Sequence, residues 1–177
     1  MKRHILLIGL PGSGKTTVGK AVADALQTTL ADIDAVITRK EGRPIPIIFA
    51  ERGEAAFREM EKREVEAVLA GPPCVISPGG GWAAQPGALE SVGGRALVVY
   101  LKTKPDKATE RTARERGPGN RATLIGIGDD PAMRMRELLK QREAFYLKAE
   151  AQVETDRRTA AQVTAEVLRL ARSVAGW

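Results

Sequence analysis

The run Gly9-Leu10-Pro11-Gly12-Ser13-Gly14-Lys15-Thr16 matches the phosphate-cradle pattern G-x-x-x-x-G-K-[ST] at every position. Its glycines let backbone N–H groups turn inward around phosphate oxygens, and a helix starting at its end adds the positive pole of its dipole. In that chemistry Gly12, Ser13, Gly14 and Thr17 surround the phosphates, Lys15 reaches the outer ones, and the Thr16 hydroxyl ligates Mg²⁺. An apolar strand candidate, Ile5–Ile8, precedes the loop and an amphipathic segment follows it. That setting favours nucleotide binding over a chance glycine-rich turn.

Three further groups could complete a reaction centre. Asp32 and Asp34 follow the apolar end of the second strand candidate, where ligands gather in parallel-sheet proteins. Alternation along an extended chain puts both carboxylates on one side, one for a metal and one for a hydroxyl; a helix N-cap suits either of them equally well. Arg142 falls, at about 100° per residue, inside the stripe of Met135, Leu138, Leu139 and Tyr146. Arg58 flanks the stripe of its own helix, and Glu61, one turn on, is placed to orient it. Two guanidinium groups facing a core suggest a clamp for a carboxylate or phosphate; snorkelling or structural ion pairing is the alternative. Gly79, Gly80 and Gly81 follow the third strand candidate and permit close approach of a ligand, or simply a flexible turn.

The elements that must position these groups alternate strand and helix, the signature of an α/β protein with a parallel sheet. Strands are expected at Ile5–Ile8, Thr29–Ile33, Cys74–Ser77, Ala96–Leu101 and Ala151–Glu154. Helical faces are expected at Val18, Val22, Ala25 and Leu26, and at Phe57, Met60, Val65, Val68 and Leu69. Others run through Met135, Leu138, Leu139, Phe145 and Tyr146, and through Val163, Val167, Leu170 and Val174. A further helix is expected from Pro105 to about Glu115. A glycine-rich stretch at about 116–131 has the length of a functional lid.

Composition narrows the chemistry. At 177 residues, one domain is expected over 1–177, with an acceptor-binding segment at about 33–61. A single cysteine, Cys74, and a single histidine, His4, exclude a disulfide framework, cysteine-based metal clusters and His-dependent nucleophile triads. Neither residue receives a role. The net charge of +6 favours an anionic partner. No apolar run approaches the roughly 20 residues needed to cross a bilayer, and a cytoplasmic protein is expected. No Asn-Lys-x-Asp guanine signature occurs, so a small-molecule kinase is favoured over a GTPase.

Taken in order, these motifs resemble the shikimate kinase family over nearly the whole chain. The resemblance rests on the P-loop, Asp32-x-Asp34, Gly42-Arg43 through Phe49, Gly53-Glu54 to Phe57-Arg58, Gly79–Gly81, a lid arginine and Arg142 to Tyr146. It implies a P-loop NTPase-type three-layer sandwich with a five-stranded parallel sheet in the order 2-3-1-4-5. It further implies transfer of the ATP γ-phosphoryl group to the 3-hydroxyl of shikimate, in the biosynthesis of aromatic amino acids. Carried over by residue, Asp34 would bind the hydroxyls and act as base, and Arg58, Arg142, Gly79, Gly80 and Gly81 would hold the acid. Asp32 and Thr16, with Ser77 more weakly, would serve Mg²⁺. Arg121 would close over the phosphates as the catalytic lid arginine beside Lys15, Arg111 or Arg114 would stack on adenine, and Arg157 would lie in the second adenine-side loop.

The chain departs from the family at Ala122-Thr123-Leu124 after the lid arginine, at Trp82 after the triple glycine, and at Pro44 where a hydroxyl cap is usual. Trp82 is therefore expected to reshape a pocket wall. The expected partners are ATP and shikimate, with no nucleic acid and no membrane, and the chain is expected to act as a monomer. Two other readings follow from the residues: a kinase for another small hydroxyl compound such as gluconate or an antibiotic, and a nucleotide-dependent nucleic-acid-binding or regulatory module. The basic stretch Lys104 to Arg121 motivates the second, but no aromatic residue lies between Tyr100 and Phe145 to stack bases.

Overall fold

The structure is a computed structural model that describes residues 1–116 and 130–177. Most of the expected lid, with Arg121 and the Ala122-Thr123-Leu124 segment, lies outside the described residues.

Five strands form one sheet, β1 (His4–Ile8), β2 (Leu30–Asp32), β3 (Val75–Ser77), β4 (Ala96–Lys102) and β5 (Ala151–Glu154). Every pairing is parallel and the order is β2-β3-β1-β4-β5. The helices are α1 (Lys15–Ala25), α2 (Ile33–Glu41), α3 (Ile45–Leu69), α4 (Ala88–Val92), α5 (Pro105–Arg116), α6 (Pro131–Tyr146) and α7 (Ala160–Val174). This is the α/β fold and strand order that the motifs imply.

Both faces of the sheet are covered because its central strands are buried and mostly apolar, and period-two alternation divides their side chains between two cores. Ile5, Leu7, Leu97, Val99 and Leu101 join Val18 and Val22 of α1 and Val163 and Val167 of α7. Leu6, Ile8, Val98 and Tyr100 join Ile33, Phe57, Met60, Met135, Leu138 and Tyr146 on the other face. Two expected contacts differ. Ala25 and Val174 are exposed, and Ala23 and Ala171 take the buried positions.

Trp82 opens a 3-10 turn (Trp82–Ala84) and is only 2% exposed, packed in the second core instead of on a pocket wall. Its bulk therefore fills the interior, contrary to expectation. His4 is buried in β1, where its Nδ1 accepts the amide N–H of Cys74 at 3.1 Å; burial lowers its pKa. Trp177 fastens the start of β1 from outside, donating its indole N–H to the Arg3 carbonyl at 2.9 Å while Lys2 Nζ stands 4.6 Å over its ring. No helix among the described residues is long and apolar enough to cross a membrane.

Candidate active site

Because all five strands run parallel, the loops after β1, β2 and β3 open on the same edge of the sheet. β1 delivers the glycine-rich loop. Gly12 has φ +78°, and a side chain there would meet the Ala108 carbonyl and the Thr112 hydroxyl, so the loop must be bare to lie against α5. Gly14 is left-handed, φ 94°, and starts α1 at Lys15. The Lys15 ammonium is buried and donates to the carbonyls of Gly9 and Leu10, both at 2.9 Å.

β2 ends on Asp32, register partner of Ser77 on β3. Asp32 does two things. Its Oδ1 caps α2 by accepting the Ala35 N–H at 3.2 Å, and its Oδ2 accepts the Thr16 hydroxyl at 2.8 Å. The expected extended alternation does not occur, since the chain turns into α2 at Ile33. Asp34 therefore reaches the cleft from the first turn of a helix, yet it still lines the same cavity as Asp32.

Two cavities meet here. One, of about 240 Å³, is lined by Gly12, Gly14, Lys15, Thr16, Thr17, Asp32 and Ser77. The other, of about 390 Å³, is walled by Arg58, Glu61, Arg142, Phe49, Phe57 and Gly81. Pro11, Asp34, Gly79 and Gly80 line both. Thus a carboxylate stands at the junction of a phosphate-type cradle and a guanidinium-walled pocket.

The walls of the second cavity come from α2, α3 and α6. α3 is two helical legs joined at Gly53, φ 80° and ψ 169°, and Pro44 caps it with its carbonyl, which accepts from Ile47 at 3.0 Å. A proline at this cap is therefore compatible with the helix start. Phe49 from the first leg and Phe57 from the second lie 4.6 Å apart between ring centroids. The triple glycine is bare because each position makes room for a different wall residue. A Cβ on Gly79 would strike Glu61, one on Gly80 would lie 2.9 Å from Pro11 Cδ, and one on Gly81 would strike the Arg58 guanidinium.

Arg58 is oriented by Glu61 as expected, Nη1 to Oε2 at 2.5 Å, and by Glu54 at 3.2 Å. Its side chain is 15% exposed and that of Glu61 is wholly buried. Burial lowers the Arg58 pKa, but the two carboxylates outweigh it and the net shift is upward. Burial raises the Glu61 pKa against the pull of Arg58, with Asp34 adding to the rise. Glu61 Oε1 is a buried acceptor with no hydrogen-bond partner among the described residues. The sequence shows Glu61 as an orienter; its membership of the cavity wall follows from the kink, which turns this face of α3 toward the glycines.

On the far side of the P-loop a third cleft, of about 250 Å³, is lined by Ser13, Gly14, Thr17, Arg111, Thr155 and Arg158. Arg111 is fixed there, donating to the Thr155 hydroxyl at 3.1 Å and to its carbonyl at 3.2 Å. Arg114 is exposed and does not line the cleft; neither does the exposed Arg157, whose neighbour Arg158 does. Thr112 and Arg158 are lining residues that no motif marked.

The family model for shikimate kinase matches residues 11–172. A shikimate kinase of Mycobacterium avium is 40% identical over 159 residues, 89% of this chain and 87% of that one. That of Mycobacterium tuberculosis is 38% identical over 169 residues, 95% and 93% of the two chains. A structure of shikimate kinase from Acinetobacter baumannii in complex with shikimate superposes with a TM-score of 0.88 at 34% identity, covering 98% of this chain and 94% of that one. A gluconokinase from Sinorhizobium meliloti shares the fold at a TM-score of 0.61 and 18% identity. Sequence matches of this extent, over a chain whose cradle, carboxylate pair and arginine-walled pocket share one sheet edge, mean that it belongs to the shikimate kinase family.

Proposed function

We propose that this chain transfers the γ-phosphoryl group of ATP to the 3-hydroxyl of shikimate. The observation that carries the reading is Asp34, which lines both the phosphate-type cavity and the arginine-walled one. Arg58 and Arg142 offer the acid two guanidinium groups, and Phe49 and Phe57 offer its ring apolar surface. The hydroxyl then faces the cradle with Asp34 beside it. Its oxygen bonds to the γ-phosphorus, the bond to the bridging oxygen of ADP breaks, and its proton passes to Asp34. Lys15 exchanges the Gly9 and Leu10 carbonyls for terminal phosphate oxygens, and the positive charge of Arg121 offsets the charge that develops in transfer. Arg111 supports the nucleotide base from the third cleft.

The Thr16 hydroxyl and the Asp32 carboxylate, 2.8 Å apart, are hard oxygen donors of the kind Mg²⁺ takes alongside phosphates and water. When bound, that ion neutralises charge on the β- and γ-oxygens. In this reading the enzyme is a cytoplasmic protein that works as a monomer, one chain lining both cavities.

A coupled ADP-release assay with shikimate, gluconate and an aminoglycoside, each with and without Mg²⁺, tests this. Turnover is expected with shikimate and Mg²⁺ alone, and to fall about 10²–10³-fold in Arg121→Ala. Equal turnover on gluconate would reassign the acceptor. Salt-dependent RNA or DNA binding without kinase activity would replace the reading altogether.

A further inference from the structure

Each carbonyl of the triple glycine is engaged by the protein. Gly79 accepts from the Trp82 amide at 3.1 Å, Gly80 from the Tyr146 hydroxyl at 2.5 Å, and Gly81 from the Gln85 side-chain amide at 3.1 Å. In a trans peptide the carbonyl of one residue and the N–H of the next point in opposite directions. Fixing the Gly79 and Gly80 carbonyls therefore fixes the direction of the Gly80 and Gly81 N–H groups. Among the described residues those donors have no acceptor, and both glycines line the arginine-walled cavity.

Tyr146 is wholly buried and its ring sits 5.0 Å from that of Tyr100. A buried phenol is retained where its hydroxyl finds an acceptor, and here the acceptor is Gly80. The same helix, α6, brings Arg142 Nη1 to 3.3 Å from the space a Gly80 side chain would take. One turn of α6 thus supplies both a clamp guanidinium and the anchor of the loop opposite it. Gln85 holds the loop's other end and lines neither cavity.

From this geometry we infer that Tyr146 and Gln85 are positioning residues for the acceptor: they set the glycine loop so that its free amide donors face the acid between Arg58 and Arg142. The inference rests on the phosphoryl-transfer reading and deepens it. Neither residue touches the reacting atoms; Gln85 acts through the loop, and Tyr146 acts through the loop and through its contact with Arg142.

The test varies shikimate at saturating ATP, then ATP at saturating shikimate, for Tyr146→Phe and Gln85→Met. Losing the buried donor to Gly80 is expected to raise KM for shikimate about tenfold, and losing the half-buried donor to Gly81 about threefold. KM for ATP and kcat stay within about threefold and Tm within a few degrees, because the ring pair is kept. Unchanged KM for shikimate in both variants overturns the inference, as does a parallel rise in both KM values, which would mark a purely structural role. If Tyr146→Phe does not fold, Gln85→Met decides by the same criterion. A wild-type enzyme without shikimate turnover removes the functional reading and this inference together; an active wild type matched by both variants removes the inference alone.

Discussion

Arg58 and Glu61 form an ion pair at 2.5 Å across one turn of α3, with the carboxylate wholly shielded from solvent and the guanidinium lining the arginine-walled cavity. The pair joins a cation of the cavity wall to an anion that burial disfavours. The Glu61 pKa lies above its usual value, burial being the main cause. A carboxyl whose folded pKa exceeds its unfolded one contributes stability that is fully present below the unfolded value and lost as pH rises through the folded value.

Glu61→Gln should therefore change the shape of the stability profile. Compared at matched pH from 4 to 8, the urea midpoint of the wild type is expected to fall relative to the variant as pH rises from the ordinary Glu range upward. A difference that does not vary with pH would mean that the Glu61 pKa is the same in the folded and unfolded chains.

Asp32 holds two bonds that substitution can separate. Asp32→Asn keeps an oxygen to accept the Ala35 N–H but loses the charge beside Thr16, whereas Asp32→Ala loses both. Turnover is expected to fall at least about 10²-fold in each. Only the alanine variant should also lose about 0.5–2 kcal/mol of stability, through the cap of α2. Urea unfolding beside the coupled assay checks this, and equal stability losses would deny the cap its share.

Trp177 makes a stability prediction remote from chemistry. Trp177→Ala removes the bond to the Arg3 carbonyl and the ring under Lys2, and should cost about 1–2 kcal/mol, or roughly 3–8 °C in Tm. Trp177→Phe restores the apolar part but not the hydrogen bond and should fall between. Calorimetry measures both, with kcat expected to be unchanged because Trp177 lines none of the three clefts described above.

Local patterns are readable where local physics decides them. The short apolar run of β1, the glycine spacing of the cradle and the stripe that holds Arg142 are each visible in neighbouring residues alone. Asp34 shows the limit. Its distance from the cradle depends on where β2 stops, and a three-residue strand followed at once by a capped helix looks, in one dimension, like a longer strand. The direction of Trp82 is equally invisible, since a tryptophan after three glycines suits a wall or a core, and only the 3-10 turn selects the core. Tyr146 reads as one more apolar position of α6; its contact with Gly80, 66 residues away in sequence, belongs to tertiary packing.

Gly53 separates the duties of α3. Beyond it, the second leg is rooted in the core through Phe57, Met60 and Val65, and keeps Arg58 in place. Before it, the first leg lies mostly at the surface, and the joint itself has empty space around it. Insertions or substitutions ahead of the joint can thus recontour the roof over the acid while the machinery that moves phosphate stays as it was. Such a division gives natural variation, or a protein engineer, a separate handle on which alcohol the scaffold admits.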